Sequence, residues 1–276
     1  MKKRILSCFM ALALCLTLLP ATAQAEDGHA THPICSGQTC SHTGQGETEH
    51  PKDAFATAKW LASSNGDLRV GKPGGSIYGE GLTAKDNYVI LNEGYYYLST
   101  TADGCNKDYV ASLQTIKIQG DVTICLNGKE IKKVGNTAGS VFEVPAGSKL
   151  TLTDCTGGGQ VTANRNDNGS GVYVTGGILN LYSGQITDSK GQTGADSNKY
   201  GGGVYVNSGN FNMYGGDITG NSANYGGGVY VKSGTFNMYG GDITGNRASY
   251  AGGAGVYVEA SGNFIMNNDA SVTENT

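Results

Sequence analysis

The segment Gly201–Tyr225 is repeated almost letter for letter by Gly226–Tyr250. GGGVYVNSGNFNMYGGDITGNSANY is followed at once by GGGVYVKSGTFNMYGGDITGNRASY, a period of 25 residues. A period of that size marks a chain built by stacking one small unit that cannot bury its apolar face alone. Within the unit, Val204 and Val206 fall on one side of an alternating run and Tyr205 on the other. Phe211 and Met213 share a side with Asn212 opposite, and Ile218 completes the inner set. Alternation of period two means strand. Three short strands per unit, with glycine corners between them, predict an all-β fold: a right-handed parallel β-helix (solenoid) of about 25 residues per coil. Successive coils should stack at about 4.8 Å.

Aligning Val172, Val204, Val229 and Val256 extends the pattern to four copies. Val174, Val206, Val231 and Val258 should form one inner column. Leu181, Met213, Met238 and Met266 form a second, and Ile186, Ile218, Ile243 and Val272 a third. Asn164, Asn221, Asn246 and Asn275 recur three residues after the last inner aliphatic, with Ser189 at that place in the remaining coil. Amides stacked in this way can hydrogen-bond up a column and satisfy backbone groups at the corner.

The coils are unequal. Val141–Val144 with Leu150, Leu152 and Val161 reads as an earlier, divergent coil, and Lys190–Lys199 as an inserted loop. Upstream, Tyr88–Leu91, Tyr95–Leu98, Thr115–Ile118 and Val122–Leu126 read as strands, and Asn127-Gly128 as a tight turn. The expected organisation is a signal peptide over 1–25, a His/Cys-rich segment over 26–60, a less regular N-terminal cap with the first coils over 61–140, and regular repeats over 141–276 that continue past the end.

Lys2, Lys3 and Arg4 precede an apolar run from Ile5 to Leu19, and Ala23-Gln24-Ala25 offers a small-x-small cleavage site. The run is too short for a membrane span and reads as a secretory signal cut after Ala25. Lipidation at Cys8 or Cys15 fits poorly, because Cys8 comes before most of the apolar run and Leu14, before Cys15, is not small. The expected location is extracellular, at the cell surface, with no membrane span after signal removal. Without the three signal cations, 16 basic residues face 23 acidic ones, a net charge of −7. That disfavours nucleic acid as a partner.

Five cysteines remain in the mature chain, an odd number, so one thiol at least has no partner within it. All four histidines lie between His29 and His50, interleaved with Cys35 and Cys40. Cys35, Cys40, His42 and His50 could hold a structural zinc ion; the other readings are a Cys35–Cys40 disulfide and a flexible His-rich spacer. No other cofactor is expected.

Catalytic motifs are hard to find. HExxH and GxSxG do not occur. Gly66–Lys72 has the GxxxxGK spacing of a phosphate loop, but Pro73 replaces the Ser or Thr that would hold magnesium. Asn164, Asn166 and Asn168 resemble half a calcium loop that lacks its closing Glu. Asp217 and Asp242 occupy equivalent places in adjacent coils, near the carboxyl separation of retaining glycosidases. Their column continues as Gln160, Gln185 and Ser271, the signature of an exposed polar turn position.

Tyrosine forms three further columns: Tyr173, Tyr205, Tyr230 and Tyr257; Tyr182, Tyr214 and Tyr239; and Tyr200, Tyr225 and Tyr250. Outward aromatic ladders stiffen a sheet, and can equally offer flat faces to sugar rings or to a protein partner. Tyr205, Tyr230, Tyr257, Tyr214 and Tyr239 are the expected binding surface.

The runs ASLQTIKIQGDVTICLNGKEIKK and GSVFEVPAGSKLTLTDCTGGGQVT, with the repeated GGGVYV…FNMYGGDITGN, resemble the β-helix repeat proteins that Gram-positive gut bacteria export to their surface. The resemblance implies a parallel β-helix of pectin-lyase-like shape and an adhesin-like role toward polysaccharides or surface proteins of host or cell wall. It does not imply lyase activity: the calcium-binding Asp cluster and the catalytic basic residue of the lyases match no position here. The expected function is structural and adhesive, without enzyme activity; the alternative is a polysaccharide lyase or glycoside hydrolase on the same scaffold.

Overall fold

The computed structural model describes residues 58–71, 80–100, 108–135, 138–163, 169–193, 199–250, 252–267 and 269–276. Across them the chain is strand and turn, without a helix. Two parallel sheets run the length of the molecule. A twelve-stranded sheet carries the long strands Tyr88–Leu98, Thr115–Cys125, Val172–Leu181, Val204–Met213, Val229–Met238 and Val256–Met266. A seven-stranded sheet carries the short ones, among them Gln185–Thr187, Asp217–Thr219 and Gly241–Thr244. The chain alternates between the two and winds as a β-solenoid, as the repeat predicts.

The stacking register follows the predicted columns. Val172, Val204, Val229 and Val256 are successive partners, as are Ile186, Ile218, Ile243 and Val272. From Val89 through Ile116, Phe142, Val172, Val204 and Val229 to Val256 the coils step by 27, 26, 30, 32, 25 and 27 residues. The period of 25 therefore holds only between the two near-identical copies. Corner insertions lengthen the others; the largest step contains the antiparallel pair Gln192–Thr193 and Lys199–Tyr200, the stem of the Lys190–Lys199 loop.

The first two strands expected in each unit are one bent strand. Gly209 bends Val204–Met213 with a φ of +87°, so one ten-residue strand supplies two faces of the coil and the short strand the third. In the divergent coil the same path is broken into Phe142–Val144 and Lys149–Thr153. The Asn127-Gly128 turn has both φ values positive, and the Lys129 amide donates to the Leu126 carbonyl at 2.9 Å. That is the tight hairpin-type turn those two residues favour.

The core is the stack of inner columns. Val204, Val206, Phe211, Met213 and Ile218 are all fully buried, and Phe211 stacks on Phe236 at 4.5 Å. Each such side chain contributes about 1.5–3 kcal/mol by leaving water. The GGG that opens each copy is also explained. Gly201 and Gly226 take left-handed φ values of 56° and 61°, while a Cβ on Gly202 would lie 2.1 Å from the Gly227 carbonyl oxygen. Only glycine fits where neighbouring backbones approach so closely.

At the N-terminal end of the described residues the large sheet turns antiparallel. Lys59–Ser64 adds in parallel to Tyr88–Leu98, then pairs antiparallel with Asp67–Gly71, which pairs antiparallel with Glu80–Gly81. The Gly66–Gly71 part of the phosphate-loop look-alike lies in this hairpin, and Lys72 and Pro73 lie outside the described residues. At the other end Ile265 and Met266 are exposed.

Candidate functional site

The expected asparagine ladder is present at Asn221, Asn246 and Asn275. The Asn221 amide nitrogens, backbone and side chain, both donate to Asn246 Oδ1 at 3.0 Å. Those of Asn246 donate to Asn275 Oδ1 at 2.9 Å. Nδ2 of each also reaches back to the preceding coil, to the carbonyls of Ile186, Ile218 and Ile243. Ser189 ends the ladder, its backbone amide donating to Asn221 Oδ1. Asn221 and Asn246 are buried, so this is a structural device. Asn164 lies outside the described residues, as does the calcium-loop look-alike from Asn164 to Asn168.

The tyrosine columns divide. Tyr205 and Tyr230 point away from the apolar core, as the alternation requires, but are only 6% and 2% exposed. Their expected place on an open binding surface is corrected: the corner tyrosines fold over them. Tyr200 lies 5.9 Å from Tyr205 and 4.7 Å from Tyr230, and Tyr225 lies 5.5 Å from Tyr257. The first and third columns thus form one interlocked cluster, in which the Tyr230 hydroxyl donates to Glu259 Oε1. Burial and this carboxylate raise the Tyr230 pKa well above the ordinary 10.0. At its foot the column becomes ionic, with Lys117 and Glu143 paired at 3.1 Å. Tyr257 is half-buried on top of Tyr230.

Tyr214 and Tyr239 do reach the surface, with Tyr182 below them. The rings stack at 4.5 Å and 5.0 Å, nearly parallel. Both faces of Tyr214 are therefore covered by neighbours, and the column shows solvent its ring edges. Among the described residues no ring covers the second face of Tyr182. Beside this stack runs an outward amide ladder that sequence reasoning missed: Asn237 Nδ2 donates to Asn212 Oδ1 and Asn212 Nδ2 to Asn180 Oδ1, each at 2.9 Å. Its signal was available, because Asn180, Asn212 and Asn237 stand two residues before the column tyrosines.

Asp217 and Asp242 are register partners, Asp217 half-buried and Asp242 exposed. Asp217 Oδ2 accepts from Gln185 Nε2 at 3.1 Å, and Gln185 Oε1 from Gln160 Nε2 at 3.4 Å. The column is a chain of polar side chains on the third face.

Besides the Lys190–Lys199 insertion, the repeat is broken at a turn between the second and third faces. The second and third faces are joined by residues 182–184, 214–216 and 239–240 in the later coils, but by the longer 154–159 in the divergent one. This turn is fastened twice. Cys155 forms a disulfide with Cys125 of the preceding coil. The Asp154 carboxylate accepts from the amides of Gly128 at 2.7 Å and Gly159 at 2.6 Å. The disulfide was not foreseen from cysteine density. Against the shorter turns above, residues 154–158 wall a groove of about 300 Å³, lined also by Ser183, Gly184, Gln185, Gly216 and Asp217.

Cys35, Cys40, His42 and His50, the zinc candidates, lie outside the described residues, and among those described no group of three His, Cys, Asp or Glu could hold a metal. Compared with protein-family models, curated proteins and solved structures, the chain finds no match.

Proposed function

We propose that this chain is a secreted or surface-displayed structural and adhesive module that binds glycans, of host or cell-wall origin, along the outside of its solenoid. The observation that carries the reading is the second face of the coil. There Asn180, Asn212 and Asn237 run beside Tyr182, Tyr214 and Tyr239, giving two adjacent columns of amides and phenols. Regular donors and acceptors on a rigid sheet suit an extended hydroxylated polymer. Because the Tyr214 faces are covered, contact there is by ring edge and hydroxyl, and only the end rings, Tyr182 and Tyr239, can stack on a sugar. The Cys125–Cys155 bridge supports an oxidising, extracellular setting. The leader-like start and the resemblance to exported β-helix proteins point the same way, and a pectin-lyase-like shape is part of this proposal.

The carbohydrate-active alternative would use Asp217 and Asp242, the one pair of carboxylates that the register sets side by side among the described residues. A glycan array read with a reducing-end and unsaturated-product assay separates the two. Binding without turnover is expected. Turnover that disappears in Asp217→Asn/Asp242→Asn would replace the adhesive reading with the enzymatic one.

A further inference from the structure

We propose that the groove at the Asp154–Gly159 turn is the module's selective subsite and takes one sugar ring of a neutral polysaccharide. This rests on the glycan-binding reading and assigns it a place. A stack of like coils offers every ligand many equal registers, so selectivity needs a position where the repeat breaks. The groove is such a position, and the one where a long turn meets shorter ones to leave a concavity: its wall is the long turn, and its floor comes from two coils above. Its volume of about 300 Å³ stands at the small end of ligand sites, suited to a single ring rather than a chain segment.

The wall is rigid before any ligand arrives. The disulfide anchors Cys155, and Asp154 is 3% exposed with its carboxylate committed to backbone amides. Ser183 Oγ accepts from the Asp154 amide at 2.7 Å, tying wall to floor. A preformed site binds without the cost of ordering it. The group offered to a ligand is Asp217, which lines the groove and whose Oδ2 takes one hydrogen bond from Gln185, leaving the carboxylate further acceptor capacity for sugar hydroxyls. Among the described residues no lysine or arginine lines the groove, so uronates and other anionic sugars meet Asp217 without a cation there to offset the repulsion. Tyr182, the residue before Ser183, ends the tyrosine stack there, with no second ring against it among the described residues.

The test uses the full chain and isothermal titration with cellotetraose and xylotetraose as neutral probes and trigalacturonate as the anionic one. Asp217→Ala removes the acceptor. Thr156→Trp fills the groove from an exposed wall position. Each is expected to weaken neutral binding about tenfold or more, the scale of one hydrogen bond to a charged group. Lys232→Ala, exposed and outside both the groove and the amide and tyrosine columns, should change it less than about threefold, and trigalacturonate should bind more weakly than either neutral probe. Circular dichroism confirms that every variant is folded. If wild type binds and both groove variants bind equally well, the groove proposal falls while the adhesive reading stands. If trigalacturonate binds best, the proposal falls on chemistry. A wild-type chain that binds nothing on a glycan array removes the broader reading, and this one with it.

Discussion

Asn246 holds three coils together through one amide. Its Oδ1 accepts the Asn221 backbone and side-chain amides, and its Nδ2 donates to Ile218, Thr244 and Asn275. Asn246→Ala strands the buried Asn221 N–H and the Ile218 carbonyl, and a stranded buried group costs about 1–3 kcal/mol. We expect a loss of about 3 kcal/mol in urea unfolding; a loss below about 1 kcal/mol would show that water replaces the amide. Tyr230 gives a pH prediction. Its folded pKa is raised above 10.0, so the folded state favours the neutral phenol. The contribution to stability is complete below about pH 10 and is lost as pH rises beyond it. Tyr96, Tyr97, Tyr173, Tyr182 and Tyr214 shift the same way by burial. The phenolate absorbance of these buried tyrosines should therefore appear late and together with unfolding, and Tyr230→Phe should lessen the alkaline loss. The asparagine ladder was legible in the sequence because its place after Ile218 and Ile243 is fixed. The burial of Tyr205 and Tyr230 was not, since alternation tells which side of a strand a residue takes but not what a later corner lays over it.

At the level of elements, the inner columns were legible wherever the repeat is clean, and the faces follow from them. The bend that fuses Val204–Val206 with Phe211–Met213 escaped because a glycine reads alike as a turn and as a kink within one strand. The Cys125–Cys155 bond was hidden for another reason. Its two cysteines lie 30 residues apart in coils whose motif has decayed, and only the register Thr153 against Cys125 brings them close. Cross-linking a loop of that length removes chain entropy worth about 3–4 kcal/mol from the unfolded state. Cys125→Ser/Cys155→Ser should lower stability by up to that amount under oxidising conditions, and reductant should then have no further effect. Equal stability of wild type and variant would mean that the thiols are not joined in solution. The groove was illegible as a site: it depends on turn 154–159 outgrowing turns 182–184 and 214–216, a comparison that needs the coils superposed.

For the whole molecule, stability should be a sum over coils and their interfaces. Val204 pairs with Val229, and Val229 with Val256, in the same register. Deleting Gly226–Tyr250 therefore leaves Tyr225 able to lead into Ala251 and Val204 free to pair with Val256. The shortened chain should keep a β-type circular dichroism spectrum and a cooperative melt, with scattering that shows a rod shorter by about one 4.8 Å step. An unfolded product would mean that the coils are not interchangeable and that the stack depends on a particular sequence of neighbours.

The backbone hydrogen bonds between coils point along the long axis, so a pull on the two ends loads them head-on and opens them singly, like a zip. A tether made this way would pay out length at modest force. Where Cys125 and Cys155 join two neighbouring coils, unravelling would meet a covalent stop, and the turn fastened there would keep its shape after the coils beyond it had come undone.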